Sequence, residues 1–149
     1  MIVLKTSREL ALMREACRIS AGALQVAGEA VRPGISTWEI DKIAYDYIKS
    51  QGAEPNFLNL YGFPATACIS INDEVIHGIP SEKRILREGD IVKVDVGAFY
   101  RGFHGDSART IAVGKVSDEA KKLIEVTRNS FFAGVDAFKA GNRIGDIGN

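Results

Sequence analysis

The chain has 149 residues, of which 46% are hydrophobic, and its 19 Lys and Arg residues balance 19 Asp and Glu residues. This size and apolar content predict a folded domain with its own core, and the zero net charge disfavours nucleic acid or an acidic membrane as a partner. The apolar start is too short for a secretory signal, no apolar run reaches membrane-spanning length, and Cys17 and Cys68 match no disulfide or zinc spacing, so we expect a cytoplasmic protein.

Two helices are predicted before any strand. Segments 6–9 (TSRE) and 36–39 (STWE) both have the pattern of a capping box, in which a hydroxyl and a carboxylate satisfy the first amides of a helix. Apolar residues follow each segment at helical spacing. The first helix is expected to end near residues 32–34 and the second at Gly52, because proline and glycine break helices there.

Three strand-like runs and a third helix follow. Residues 66–71 alternate between two sets of side chains, and residues 90–98 and 103–113 are joined by a short connection of the length of a hairpin turn. Residues 117–139 have helical spacing. The order α, α, β, β, β, α lacks a βαβ rhythm, so we predict an α+β fold with a mostly antiparallel sheet.

The end of the chain resembles an earlier part of it. Segments 30–40 (AVRPGISTWEI) and 137–147 (AFKAGNRIGDI) share alanine, glycine, an acid and isoleucine at a fixed offset. One interpretation is a complete unit followed by the start of a repeat near residue 118, so that residues 1–149 form a single partial domain of a longer protein. The alternative is a chance likeness between two helix–glycine–helix segments.

Two aspartates lie in the predicted hairpin. If its loop is centred between Tyr100 and Arg101, Asp95 lies directly opposite Asp106, with Cβ atoms roughly 5 Å apart. Their repulsion would be on the order of 3 kcal/mol at an effective dielectric of about 20, so a divalent cation between them is one hypothesis. The alternative is a bulged turn that slips the register by one residue and places the two acids on opposite faces.

The two histidines carry weaker signals. His77 precedes Gly78 and Pro80 in a loop, where it is either a solvated side chain or a ligand, an acid–base group or an oxyanion donor. His104 lies in a strand, where a structural hydrogen bond is expected. A group of apolar residues before and within the first strand is interpreted either as core or as the wall of an apolar, sulfur-tolerant pocket. This group comprises Phe57, Leu60, Tyr61, Phe63 and Cys68.

Two long runs closely resemble a known family. GFPATACISINDEVIHGIP (62–80) and LREGDIVKVDVGAFYRGFHGDSARTIAVG (86–114) are similar to methionine aminopeptidases of the short type without an N-terminal extension. The resemblance extends over the whole chain. It implies the pita-bread fold, two α+β halves related by a pseudo-twofold axis, of which this chain would hold the first half and the start of the second.

The resemblance also implies site residues and cofactors. Asp95 and Asp106 match two ligands of a pair of divalent ions (cobalt, manganese, iron or zinc), and His77 matches the histidine that contacts the scissile amide. The implied methionine pocket is formed by Phe57, Leu60, Phe63 and Cys68, although Phe57 and Leu60 depart from the residue types of the better-known bacterial members. Relatives also hold a monovalent cation on backbone carbonyls near Asn72 and Glu74.

The implied activity is removal of the initiator methionine from nascent chains by a metal-activated water. The nascent N-terminus is then the partner, the ribosome is a further candidate, and the full enzyme is expected to be a monomer. The family takes one histidine and two glutamates from its second half, so two of five metal ligands lie in these residues and we expect them to be inactive alone. The alternatives are an Xaa-Pro aminopeptidase or prolidase relative, or a pita-bread protein that binds without catalysis.

Overall fold

The computed structural model describes residues 3–148; Met1, Ile2 and Asn149, at the two ends of the predicted domain, lie outside the described residues. The chain divides into two compact units, Met1–Lys115 and Val116–Asn149. The helices are α1 (Ser7–Ala30), α2 (Thr37–Ser50), α3 (Asp118–Ala137) and α4 (Gly145–Gly148), and the strands are β1 (Glu54–Pro55), β2 (Ala67–Ile71), β3 (Ile91–Tyr100) and β4 (Phe103–Ala112). All described strand pairs are antiparallel, which confirms the predicted α+β class.

Local sequence determines where the first two helices begin. Thr6 accepts a hydrogen bond from the Glu9 amide at the start of α1, and the Glu9 carboxylate accepts one from the Thr6 amide at 2.7 Å. Ser36 and Glu39 form the same reciprocal pair at α2. Both predicted capping boxes are confirmed, because each satisfies two amides that a helix start leaves without an internal acceptor.

Strand β3 lies at the centre of the sheet. Strand β4 pairs with the whole length of β3, from Ile91 to Tyr100. Strand β2 pairs with residues 92–96 of β3, and β1 pairs with residues 98–99 of β3. Because β4 occupies one edge of β3, β1 and β2 follow each other along the opposite edge. The β3–β4 turn consists of Arg101 and Gly102, whose φ angles of 47° and 91° are those of a type I′ hairpin turn.

The two faces of the sheet have different roles. Helices α1 and α2 cover the face that carries Val94 and Val96, and together these elements form the hydrophobic core of the first unit. Helix α1 lies so close to β4 that a Cβ on Gly105 would be 2.3 Å from the Ala16 carbonyl oxygen. The Ser20 hydroxyl donates to the Val96 carbonyl at 2.9 Å. The opposite face of the sheet, which α1 and α2 leave uncovered, is therefore the one available for a site.

Strand β2 differs from the half-buried strand that its alternating sequence suggests. Residues Ala67–Ser70 are buried on both faces. The segment after the strand folds back along it: the Ile69 amide donates to the Gly78 carbonyl at 2.8 Å, and the Gly78 amide donates to the Ser70 hydroxyl at 3.0 Å.

In the second unit, the Ser117 hydroxyl accepts from the Ala120 amide and starts α3. None of the residues of α3 is buried, and its apolar side chains are largely exposed. Among them are Phe131 (66%), Phe132 (50%), Val135 (50%) and, just after the helix, Phe138 (77%). Gly141 has a φ of 96° between α3 and α4, as Gly34 has 89° between α1 and α2. The proposed repeat stays a prediction.

No helix of the described residues is both long and apolar enough to cross a lipid bilayer.

Candidate metal centre and apolar pocket

Asp95 and Asp106 lie on the same face of the β3–β4 pair, but they are not directly opposite each other. Asp95 pairs with Ala108, and Asp106 pairs with Gly97. The prediction of direct opposition is wrong because the turn is centred on Arg101 and Gly102, one residue later than the sequence interpretation placed it. This shift moves the register by two residues, which preserves the face of every side chain, whereas a slip of one would have reversed it.

The two carboxyl groups interact across this diagonal. Burial, the charge of Asp106 and a hydrogen bond to Asp106 together raise the pKa of Asp95 to about 6, while His77 acts in the opposite direction. A carboxyl that retains its proton near pH 6 lacks a compensating positive charge. A cation bound between these groups would displace that proton.

Cys68 lies directly opposite Asp95 on the other side of β3. Burial and, to a smaller extent, the charges of Asp95, Asp106 and Asp41 together raise the pKa of the Cys68 thiol to about 11. The side chain is therefore a neutral thiol at physiological pH. It forms part of the apolar lining of the site.

A pocket of about 530 Å³ opens on this face. It is lined by Phe57, Leu60, Tyr61, Gly62, Phe63, Pro64, Cys68, His77, Ile79, Asp95 and Asp106. All seven residues singled out for the site in the sequence analysis therefore line one cavity. Tyr61 was grouped with the apolar cluster but not assigned to the site, and Ile79 was missed, although it lies two residues after His77 in the same loop.

The loop that carries His77 has a constrained backbone. His77 has a φ of 59°, in the left-handed region that residues with a Cβ rarely adopt. A Cβ on Gly78 would lie 2.2 Å from the Ile69 carbonyl oxygen, so only glycine permits this approach to β2. The paired backbone of Ile69 and Gly78 thus determines the position at which the imidazole enters the pocket.

Two polar residues that the sequence analysis missed stabilise the surroundings of the pocket. Asp41 Oδ1 accepts hydrogen bonds from the amides of Thr66 at 2.9 Å and Ala67 at 2.7 Å, which joins α2 to the beginning of β2. The pKa of Asp41 is raised by burial, and the hydrogen bonds from these two amides offset only part of that rise. No local pattern in the sequence reveals such a contact, because the partners are far apart along the chain.

The second missed residue is Asn56, which bridges β1 and β4 over Gly97. Its amide donates to the Gly97 carbonyl at 3.0 Å, and its side-chain Nδ2 donates to the Gly105 carbonyl at 3.3 Å. Its Oδ1 lies 2.9 Å from His104 Nδ1. The structural hydrogen bond expected of His104 is present, and the His104 ring also packs against Phe99 with centroids 4.9 Å apart.

The donor chemistry fits a divalent cation. Two carboxylates on adjacent strands supply the hard oxygen ligands that such ions prefer, and the pKa of Asp95 is raised first by burial and then by the neighbouring charge of Asp106. Among residues 3–148, however, no group of three or more His, Cys, Asp or Glu side chains lies close enough to enclose a metal ion. Asp95 and Asp106 could therefore supply only part of a coordination sphere.

Comparison with known proteins defines the class. The sequence profile of metallopeptidase family M24 matches residues 11–149, and the chain belongs to this family. Methionine aminopeptidases are among its most similar relatives: the protein of Clostridium acetobutylicum is 50% identical over 147 residues, and methionine aminopeptidase 1 of Bacillus subtilis is 48% identical over 147 residues. Each match covers 99% of this chain and 59% of the relative.

Solved structures agree with this assignment. The methionine aminopeptidase of Thermotoga maritima superposes with a TM-score of 0.95 at 36% identity, covering 99% of this chain and 59% of that one. An Xaa-Pro dipeptidase of Bacillus anthracis superposes with a TM-score of 0.79 at 31% identity and covers 93% of this chain and 37% of that one. The predicted pita-bread fold is confirmed, and the chain spans about 59% of the length of the curated relatives it matches.

Proposed function

We propose that these residues form the N-terminal part of the catalytic site of a metal-dependent methionine aminopeptidase. The observation that carries the proposal is the single pocket in which two carboxylates, a histidine and an apolar wall meet. The names of the most similar relatives support the same activity. The Xaa-Pro dipeptidase superposes less well, which gives that alternative less support.

Asp95 and Asp106 are the residues that would hold divalent ions, with the remaining ligands supplied by sequence that the longer relatives possess. Such ions supply Lewis acidity toward the carbonyl of the first peptide bond and lower the pKa of an attacking water. The donor types suit cobalt, manganese, iron and zinc alike. Because two carboxylates alone leave most coordination positions open to water, we expect weak metal binding by the 149 residues and no turnover.

His77 would act on the substrate and not on the metal. Its ring enters the pocket from the loop beside β2, where an imidazole N–H can donate to the oxygen or nitrogen of the first peptide bond. Its interaction with Asp95 favours the ionised carboxylate that a metal ligand requires. His77 would therefore act as a hydrogen-bond donor to the negative charge that develops on the substrate during the reaction.

The apolar wall would select the first side chain. Phe57, Leu60, Phe63 and Cys68 present aromatic, aliphatic and thiol surfaces, to which a methionine thioether binds favourably. The high pKa of Cys68 keeps a negative charge out of this wall. The substrate that follows is the N-terminus of a nascent polypeptide in the cytoplasm, with the ribosome as a further candidate partner and a monomer as the expected form of the full enzyme.

A chimera tests this proposal. The 149 residues replace the matching part of the Clostridium acetobutylicum relative, and release of methionine from Met-Ala-Ser is compared with cleavage of Met-Pro. We expect methionine release that requires a divalent ion. Asp106→Asn should lower both turnover and metal content, and Asp46→Asn, which removes an exposed carboxylate on α2, should lower neither.

His77 receives its own variant in the same chimera. His77→Ala should lower turnover by about 10²-fold at unchanged metal content. His104→Ala serves as the matched control, since that ring packs on Phe99 outside the pocket lining. Loss of metal from His77→Ala would make it a ligand, and preferential cleavage of Met-Pro would assign the chain to the Xaa-Pro class.

A further inference from the structure

Lys93 lies on the site face of β3, two residues before Asp95. Its cross-strand neighbours are Ser70 on β2 and Thr110 on β4. The Lys93 ammonium donates to the Asn72 carbonyl oxygen at 2.5 Å. A cation that belongs to the chain itself therefore contacts the turn that follows β2.

This turn is rich in oxygen atoms. Asn72 has a φ of 52°, and its amide donates to the Ile91 carbonyl at 2.9 Å. Its side chain donates to Asp90 at 2.8 Å and accepts from the Ile91 amide at 3.0 Å. The backbone and side chain of Asn72 are thus bound to the beginning of β3, and its carbonyl oxygen is directed at Lys93.

Two carboxylates add negative charge beside the ammonium. Burial lowers the pKa of Lys93, and the negative charges of Glu74 and Asp73 act in the opposite direction and favour the ammonium. Glu74 also accepts from the Ile71 amide at 2.8 Å and from the Arg84 guanidinium, so its position is fixed by two donors. The turn thus gives the ammonium one carbonyl ligand and the longer-range negative charge of two carboxylates, as a cation site does.

The resemblance to the family implied a dissociable monovalent ion on the carbonyls near Asn72 and Glu74. The structure does not fit that expectation, because Lys93 already brings a positive charge to the Asn72 carbonyl and a second cation at this oxygen would be repelled. We propose that the Lys93 ammonium takes the place of the monovalent cation and binds the Asn72–Glu74 turn to β3 without a dissociable ion.

This contact also concerns His77. The chain runs from Asn72 to Gly78 as a short loop, held at one end by Lys93 and at the other by the pairing of Gly78 with Ile69. His77, with its unfavourable φ, lies next to the second of these ends. Lys93 is therefore a positioning residue for the segment that places His77.

The experiment measures thermal unfolding of the 149-residue chain in KCl, NaCl and choline chloride at equal ionic strength. We expect the wild-type Tm to be the same in all three salts. Lys93→Ala should lower the Tm in choline chloride by about 2–4 °C, and KCl or ammonium chloride should restore it in a saturable manner. Lys83→Ala, which removes an exposed lysine from the neighbouring loop, should show no such rescue.

Two results would overturn the proposal. A saturable, ion-specific rise in the wild-type Tm would show that a dissociable cation still binds, and equal Tm values of Lys93→Ala in all salts would show that Lys93 fills no cation site.

Thallium-205 NMR of the wild-type chain gives a measurement that needs no variant, with no bound Tl⁺ expected. The His77 ring signals should shift in Lys93→Gln and return with ammonium; unchanged signals would exclude the positioning role. None of these readouts depends on peptidase activity, so failure here leaves the proposed function intact.

Discussion

Cys68 and Asp95 are direct cross-strand partners on the β2–β3 pair, with both side chains in the same pocket. Burial is the main cause that disfavours ionisation of both groups, the negative charges of Asp95 and Asp106 act further on Cys68, and that of Asp106 acts further on Asp95. The pKa of each group is raised, to about 11 for Cys68 and about 6 for Asp95. Two predictions follow from the chemistry of this pair.

Alkylation should distinguish the two cysteines. Cys17 is exposed, whereas Cys68 is buried and its pKa of about 11 leaves roughly one thiolate per thousand molecules at pH 8. We expect iodoacetamide to label Cys17 at least tenfold faster, as followed by mass spectrometry of tryptic peptides. Asp95→Asn should raise the rate at Cys68 by removing its nearest negative charge. Equal rates in the folded wild-type chain would contradict this account of the pocket.

The stability of the metal-free chain should depend on pH through Asp95. The folded pKa of about 6 lies above the ordinary aspartate value of 3.8, so the folded state binds the proton more tightly and loses stability as the pH rises from about 4 to 6. The Asp95→Asn variant has no carboxyl group at this position, so it does not lose stability in this way. Its free energy of unfolding relative to wild type should therefore increase by about 1–2 kcal/mol over that range, after allowance for solvent screening, and remain constant above it.

Urea unfolding in EDTA at several pH values measures this difference. Asp46→Asn, on the exposed side of α2, is the matched control and should show no such pH dependence relative to wild type. A wild-type chain that gains stability relative to Asp95→Asn between pH 4 and 6 would reverse the predicted sign.

Substitution at Gly78 should be costly. A Cβ at this position would lie 2.2 Å from the Ile69 carbonyl oxygen and 2.9 Å from the Ser70 Cα, and neither backbone atom can move without disturbing β2. We expect Gly78→Ala to lower the free energy of unfolding by about 1–3 kcal/mol. Gly145→Ala is the control, because no atom lies within 4 Å of its added methyl group. Equal stability of the two variants would contradict the close packing of the His77 loop.

The apolar side chains of α3 should cause self-association of the 149-residue chain. Phe131 and Phe138 are 66% and 77% exposed, and contiguous apolar surface of this kind favours burial against another molecule. We expect light scattering after size exclusion to show species larger than a monomer. The double variant Phe131→Glu, Phe138→Glu should shift the chain toward the monomer, whereas Tyr61→Glu, at a fully exposed aromatic in the first unit, should not.

The sequence by itself determined those features that depend on neighbouring residues. The capping boxes of α1 and α2 were predictable because hydroxyl and carboxylate partners lie three residues apart. The shared face of Asp95 and Asp106 followed from the two-residue period of strands, which any even shift of register preserves. The register itself did not follow, since the glycine at 102 marks a turn without showing that Arg101 also adopts a positive φ.

Only the tertiary structure decided the contacts between distant segments. Lys93 reaches Asn72, Asn56 reaches His104, and Asp41 reaches the amides at the start of β2. Each of these bonds joins elements brought together by burial of the common core, so no local pattern in the sequence indicates it. The burial of β2 on both faces has the same origin, because the loop at His77 covers the strand only after the chain has turned back on itself.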